Sequence, residues 1–335
     1  RVLNTKETVA QWVERLREQV SRFLDFEGDD PALLVNNLDW TGELTAIDFL
    51  REVGKHYRLG TMLAKETVAR RLASEQGISF TEFSYQILQG YDFLELFRRY
   101  GCVLQTGGND QWGNLLSGVE LVRKAEQQTV HAMTTPLITK SDGTKFGKTE
   151  GGAVWLAPDM MTPYAFYQFW LNTDDADVVR FLKIFTFRSR EEIAELEAAV
   201  QERPAAREAQ RVLAEDVTTL VHGPEAVTSA VEASRALFGR GALEQLDTET
   251  LSAAVAELPR AEGRLGDPLV DLFAASGIVG SKGEARRAVA DGGLYVNNVR
   301  VSDAEEQLAS GHLMHGRWTL LRRGKRTLAV VDVKD

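Results

Sequence analysis

The chain is 335 residues long, 44% apolar and 26% charged, with a net charge of −10 at neutral pH. That apolar content supports two or three cores, the acidic balance argues against a nonspecific polyanion binder, and no apolar run approaches the roughly 20 residues that span a bilayer. Cys102 is the only cysteine, which excludes an internal disulfide and a cysteine-based metal site and suits a reducing cytoplasm; the first residues show no signal-peptide pattern.

Asn4 with Glu7 reads as a capping box, and Val9, Val13, Leu16, Val20 and Leu24 repeat behind it at helical spacing. Leu33-Leu34-Val35-Asn36 reads as a short apolar strand, a helix is predicted from about Thr45 to Tyr57, and another covers 80–99. Cys102–Gln105 reads as a buried strand, after which Gly107-Gly108 turns the chain into a helix from about Asp110 to Lys124. Strands alternating with helices imply an α/β domain with a parallel sheet, whose ligands sit beyond the carboxyl ends of the strands.

After Pro158 the character changes: residues 163–250 carry helical patterns and no convincing strand. The segment Pro259–Pro268, rich in glycine, proline and charge, is the predicted linker. A small α+β unit follows, with a helix over Lys282–Ala290, a hairpin turning at Asn297-Asn298, and strands near 317–322 and 327–333 around the Arg323-Gly324-Lys325 turn. The predicted domains are therefore 1–157, 158–258 and 269–335, with 259–268 between the last two. Residues 281–326 hold nine Lys/Arg against five acids, a local charge of +4 on a body of −14. A basic end on an acidic body is the pattern of one module meeting nucleic acid.

Three strings carry candidate chemistry. Tyr85, Gln89 and Asp92 share one helix face; such a face is either solvated or a pocket in which a carboxylate takes a hydroxyl proton and an amide and a phenol hold an ammonium. Gly107-Gly108-Asn109-Asp110-Gln111 is either a plain strand-to-helix turn capped by Asp110 or a glycine turn open to a ligand beside helix-start N–H groups. Thr144-Lys145-Phe146-Gly147-Lys148-Thr149, introduced by Ser141-Asp142-Gly143, sets two lysines three residues apart on a polar loop, where two ammonium groups could fold over a polyphosphate. Lys282, Arg286 and Arg287 crowd one helix of the basic end, and Arg322, Arg323, Lys325 and Arg326 crowd one hairpin; a basic surface solubilises or meets a phosphate backbone.

In this order and spacing the strings resemble bacterial tyrosyl-tRNA synthetases of class I, over essentially the whole chain. The resemblance implies a Rossmann-like parallel-sheet catalytic domain, incomplete at its N-terminus, with the lysine loop at 145–149, then an α-helical anticodon-side domain and an S4-like RNA-binding domain. It assigns Asp92 to the tyrosine hydroxyl, Tyr85 and Gln89 to the α-amino group and Gln111 to the carboxylate. Gly108 and Asp110 fall to the ATP ribose, and Lys145 and Lys148 to catalysis and ATP binding. ATP would be a substrate with Mg²⁺, with no tightly bound cofactor and no resident metal. The partners would be tyrosine and tRNA(Tyr), in a cytoplasmic homodimer without a membrane. A tryptophan-specific relative and a noncatalytic RNA-binding remnant are the alternatives.

The family's His-x-Gly-His signature is not found. The nearest string, His312-Leu313-Met314-His315, carries methionine in place of glycine and lies in the basic end. Arg1 resembles the region just after that signature, so about a quarter of a usual member, including part of the tyrosine pocket, is not among these residues: either the natural protein extends upstream of Arg1 or the chain is a remnant that has given up activation. The 335 residues alone are then expected to bind ATP poorly, to form no detectable tyrosyl-adenylate and to expose a large apolar patch on the catalytic domain.

Overall fold

The computed structural model describes residues 4–149, 152–239, 243–256, 258–325 and 327–334. It falls into two compact units, Arg1–Phe146 and Gly147–Asp335. Arg1, Arg326 and the side chain of Lys148 lie outside what is described.

In the first unit, helix α1 (Lys6–Val20) starts one residue later than the Asn4 reading. Thr5 is the cap, its hydroxyl accepting from the Thr8 N–H at 3.2 Å, because a threonine oxygen satisfies an orphan helix donor as well as asparagine does. The apolar stripe is real but buries no residue: Trp12 is 49% and Leu16 59% exposed. Leu33–Asn36 is irregular rather than a strand; an extended run becomes a strand only when a neighbour takes its hydrogen bonds, and among the described residues none does.

Single turns α2 (Leu38–Thr41) and α3 (Ala46–Asp48) follow, the second capped by Thr45 and prolonged as a π stretch over Phe49–Val53 and a 3₁₀ turn over Gly54–His56. The helix expected over 45–57 is thus present with a changing pitch. After α4 (Leu59–Leu63) and α5 (Glu66–Leu72) comes α6 (Phe80–Tyr100), opened by the Ser79 hydroxyl and closed by Gly101 at φ 65°, a left-handed stop that glycine adopts without penalty.

Helix α7 (Trp112–Glu126) packs along α6 at close range. A Cβ on Gly118 would lie 2.8 Å from the Cβ of Phe93, and one on Gly90 would lie 2.2 Å from the Tyr57 hydroxyl. Phe93, Leu94, Leu121, Val122, Val130 and Trp40 form the core between them. Strand β1 (Leu104–Gly108) begins two residues later than expected and pairs in parallel with β2 (His131–Thr135), setting Gly107 opposite Thr134 and Gly108 opposite Thr135. The expected burial is not found, since Val103 is 52% exposed; in a two-stranded ladder each strand is an edge.

The second unit opens with the antiparallel pair β3 (Lys148–Thr149) and β4 (Gly152–Ala153). Among the described residues six α-helices follow: α8 (Pro163–Leu171), α9 (Asp175–Phe185), α10 (Arg190–Glu202), α11 (Glu208–His222), α12 (Pro224–Leu237) and α13 (Thr248–Ala256). Their starts are legible in Thr162-Pro163, in the Ser189/Glu192 capping box and in Pro224. Phe166, Trp170, Phe181 and Leu213 are among the residues packed inside.

The expected linker is not one. Arg260–Gly263 forms β5, which pairs in parallel with β9 (Thr327–Val333) at the edge of a sheet ordered β5-β9-β8-β6-β7. Ala261 is buried there, and Gly263 leaves room for Val331 and Leu272, so glycine here marks a close approach rather than flexibility. Helix α14 (Leu269–Ala275) was not expected, whereas α15 (Lys282–Ala290), β6 (Leu294–Val296), β7 (Val299–Arg300) and β8 (Trp318–Arg323) match expectation. Asn297 and Asn298, at φ 46° and 65°, make the two-residue turn whose twist suits a hairpin.

Candidate functional site

Helix α6 presents Tyr85, Gln89 and Asp92 in line, with Tyr85 half exposed and the other two partly buried. Asp92 is held from outside its helix: Trp40 donates its indole N–H to one carboxylate oxygen at 2.8 Å, and the Asn37 amide donates to the other at 3.2 Å. Each oxygen keeps a lone pair for a hydroxyl donor. Gln89 faces the start of α7, where its amide donates to the Gln111 carbonyl oxygen at 3.4 Å. Asn114 donates to both Gln89 and Gln111, reaching the latter at 3.2 Å.

Gln111 also reaches the Asp110 carboxylate at 3.4 Å, and Asp110 folds over Gly108, where a Cβ would lie 2.7 Å from its oxygen. A line of polar groups therefore runs from the carboxyl end of β1 through Asp110, Gln111 and Asn114 to Gln89. The structure brings together five of the residues singled out in sequence: Gly108, Asp110, Gln111, Gln89 and, one turn further along α6, Asp92.

The lysine loop leaves from the same end of the ladder. β2 ends at Thr135 beside Gly108, and the Leu137 side chain passes the Gly108 position. Residues 138–146 then form a small hairpin: the Phe146 N–H donates to the Ile138 carbonyl at 3.0 Å and the Lys140 N–H to the Thr144 carbonyl at 2.8 Å. Asp142 shapes its tip by accepting from the backbone and hydroxyl of Thr144 at 2.8 and 2.6 Å, which holds its carboxyl below the ordinary range. Lys145 is exposed on this hairpin. Lys148 belongs to β3 in the second unit.

Four neighbours were not singled out in sequence. Trp40 and Asn37 orient Asp92. Lys65, half-buried, donates to the Gly113 carbonyl at 2.7 Å, and burial pulls its ammonium below the ordinary lysine value. Tyr57 donates its hydroxyl to the Ser117 carbonyl at 3.3 Å and abuts Gly90; burial pushes its phenol up to about 12. Each of these hydrogen bonds joins positions at least 48 apart in the chain, so no local spacing could have found them.

In the second unit the basic residues are partly engaged. Lys282 pairs with Asp271 at 2.8 Å, Arg286 with Glu305 at 3.9 Å and Arg323 with Glu284 at 2.8 Å. Arg322 instead lies 3.9 Å over the Tyr295 ring and donates to the Asn298 side-chain oxygen at 3.0 Å. With the exposed Lys325 it lines a cleft of about 1230 Å³ whose other wall is helical. Arg207, Arg211 and Arg235 face that cleft from the turn before α11, from α11 and from α12, against a single acid among the described residues, Glu215.

Residues 1–239 match the family described as tRNA synthetases class I (W and Y), and residues 250–331 match the tyrosine–tRNA ligase SYY-like C-terminal domain. The chain is 61% identical over 334 residues to a tyrosine–tRNA ligase of Streptomyces avermitilis, covering 99% of this chain and 79% of that one. It is 60% identical over 336 residues to that of Leifsonia xyli, covering 100% and 76%. The chain belongs to the tyrosine–tRNA ligases. It is thus an aminoacyl-tRNA synthetase of class I, with ATP, tyrosine and tRNA as the family's substrates. Among solved structures, the C-terminally truncated mitochondrial tyrosyl-tRNA synthetase of Aspergillus nidulans superposes with a TM-score of 0.59 at 30% identity, over 71% of each chain.

Proposed function

We propose that the α6 face and the β1–α7 turn form the tyrosine and ATP site of this ligase. Asp92 accepts from the substrate phenol, Tyr85 and Gln89 hold the α-amino group, and Gln111 meets the carboxylate. Gly108 and Asp110 take the ribose at the carboxyl end of the ladder. The observation that carries this reading is the run of hydrogen bonds from Asp110 through Gln111 to Gln89, ending one turn from an independently anchored Asp92.

The enzyme activates tyrosine with ATP to tyrosyl-adenylate and pyrophosphate, then transfers tyrosine to the 3′ end of tRNA(Tyr). The tyrosine carboxylate attacks the α-phosphate, and the bond to the pyrophosphate oxygen breaks. The nucleophile is already ionised, so no general base is needed, and the protein contributes positioning and charge neutralisation. Lys145 and Lys148 supply the latter. Among the described residues no cluster of three or more His, Cys, Asp or Glu side chains could hold a metal, so Mg²⁺ is read as arriving on the ATP phosphates and no step is routed through it.

The proposed domains are a catalytic part over 1–157, a helical anticodon-side part over 158–258 and an S4-like RNA-binding part over 269–335, with β5 of the segment between them built into the last sheet. Arg322, Lys325, Arg211 and Arg235 are read as contacts to the tRNA backbone, with Lys282, Arg286, Arg287, Arg323 and Arg326 as further contacts. The enzyme is read as a cytoplasmic homodimer. Pyrophosphate exchange with each amino acid in turn tests the core of this reading. In the full-length enzyme exchange with tyrosine alone is expected, and exchange driven by tryptophan, or by none, would refute it.

A further inference from the structure

Two hairpin-tip residues of the C-terminal sheet reach across to the helices. Asn298, at φ 65°, donates its side-chain amide to the Ala236 carbonyl at the end of α12, at 2.7 Å. His315, at φ 47°, places Nε2 2.8 Å from the Leu246 carbonyl and Nδ1 3.0 Å from the Thr248 hydroxyl, at the start of α13. A carbonyl only accepts, so Nε2 carries a proton and donates to Leu246, while Nδ1 and the Thr248 hydroxyl share the second hydrogen bond. Both backbones are left-handed, a conformation rare for side chains other than Asn and Asp or His.

We propose that Asn298 and His315 form a two-point latch that fixes the C-terminal sheet against the helical bundle and so presets the cationic cleft. Asn298 performs two tasks with one side chain: its nitrogen holds Ala236 while its oxygen accepts from Arg322 Nε at 3.0 Å. The guanidinium is thereby held over Tyr295 in the wall of the cleft that Arg211 and Arg235 also line. His315 fixes the same pair of modules from a second hairpin, which removes the hinge freedom a single contact would leave. His312 does not join the latch; its Nδ1 accepts from the Ala309 N–H at 3.2 Å within its own turn. The His312–His315 string is thus a structural device of the tail.

The proposal rests on the reading that tRNA phosphates enter this cleft. A latch acts on population: if the latched arrangement falls from dominant to about a tenth, apparent tRNA affinity falls about tenfold while each phosphate contact is retained. The full chain is tested as Asn298→Gly and His315→Gly, which keep the left-handed backbone, and as Thr248→Val, which leaves that backbone untouched. Binding of tRNA(Tyr) is measured across a salt series, with thermal unfolding to confirm that each variant is folded. The expected result is affinity down about fivefold to tenfold in the glycine variants, less in Thr248→Val, with the slope of log affinity against log salt unchanged. Arg211→Ala is the contrast, since it should lower that slope by about one. Unchanged affinity in both folded glycine variants, with Arg211→Ala weakened, overturns the latch and leaves the RNA reading standing. A slope that drops in His315→Gly overturns the latch too, because that residue would then be a phosphate contact. Unchanged binding in Arg211→Ala and Arg322→Ala together overturns the cleft and the latch with it.

Discussion

The anchoring of Asp92 by Trp40 can be tested as a double-mutant cycle with Trp40→Phe and Asp92→Ala. Trp40 is 3% exposed and its Nε1 lies 2.8 Å from the carboxylate, so this is a charge-assisted bond largely withdrawn from water, worth about 1.5–3 kcal/mol. Phenylalanine keeps a ring beneath Arg99, whose guanidinium sits 5.5 Å from the indole, but removes the donor and leaves a void. The void is common to both backgrounds and cancels in the cycle, so the coupling isolates the hydrogen bond. Urea unfolding should give a coupling of about 1.5–3 kcal/mol. Tyrosine affinity, measured by equilibrium dialysis, should fall at least about tenfold in Trp40→Phe alone, since an unanchored carboxylate no longer points at the substrate phenol. The exposed Asn37 contact, at 3.2 Å, should be worth under about 1 kcal/mol in Asn37→Ala. A Trp40–Asp92 coupling near zero would refute the claim that the indole sets the carboxylate.

Lys145→Ala or Lys148→Ala should slow tyrosyl-adenylate formation by about a hundredfold or more in single-turnover measurements while leaving tyrosine affinity unchanged; matched losses in both would assign the loop to the pocket instead. Removing residues 258–335, a cut placed ahead of β5 because a cut at 265 would strip that strand of its partner β9, should spare pyrophosphate exchange and abolish most aminoacylation, and unchanged aminoacylation would sink the RNA assignment. Gly118→Ala should destabilise by about 1–2 kcal/mol in urea unfolding, because overpacking against fully buried Phe93 outweighs the gain in helix propensity, whereas Gly113→Ala, with only the Lys65 side chain at 3.9 Å, should be neutral or slightly stabilising; equal effects would refute the close α6–α7 approach. The Tyr57 phenol is raised by burial from 10.0 to about 12, so the neutral form favours the folded state. Its contribution is complete below pH about 10, and about 2–3 kcal/mol of it is lost as pH climbs from 10 to 12. Tyr57→Phe should flatten that part of the stability curve.

The sequence reads well where a signal is local and fails where a partner is distant. The helix over 80–99, the Asn297-Asn298 turn and the Lys282–Ala290 helix depend on residues within a few positions of one another, and all are found. Leu33–Asn36 has the composition of a strand, but strand formation is a property of pairs, and no described neighbour pairs with it. Pro259–Pro268 fails in the opposite direction: its glycine and charge suggest a linker, yet Ala261 and Gly263 fit under β9 because they are small. In the site, the helix spacing of Tyr85, Gln89 and Asp92 was sufficient to align them. The groups that give them partners, Trp40, Asn37 and Asn114, are set by the tertiary packing of α6 against its neighbours.

The same division explains why counting charges locates an RNA surface only roughly. The window 281–326 is basic by count, but Lys282, Arg286 and Arg323 each face an acid of their own module, and Arg317 faces Asp332 at 2.7 Å. Exposed pairs of this kind are worth little and do not forbid a phosphate, yet each acid cancels at short range the attraction its partner would offer. Arg322 differs because its partners are neutral, an amide oxygen, a backbone carbonyl and an aromatic face, so its full charge remains available. Lys325 and, from helices 90 to 115 positions earlier, Arg211 and Arg235 border the same cleft with Glu215 as the opposing acid among the described residues. The excess positive field is therefore a property of the cleft rather than of the tail, and it exists only while the tail is held against the helices. That places the weight of RNA binding on whatever fixes the two modules together, and not on the number of basic residues that either one carries.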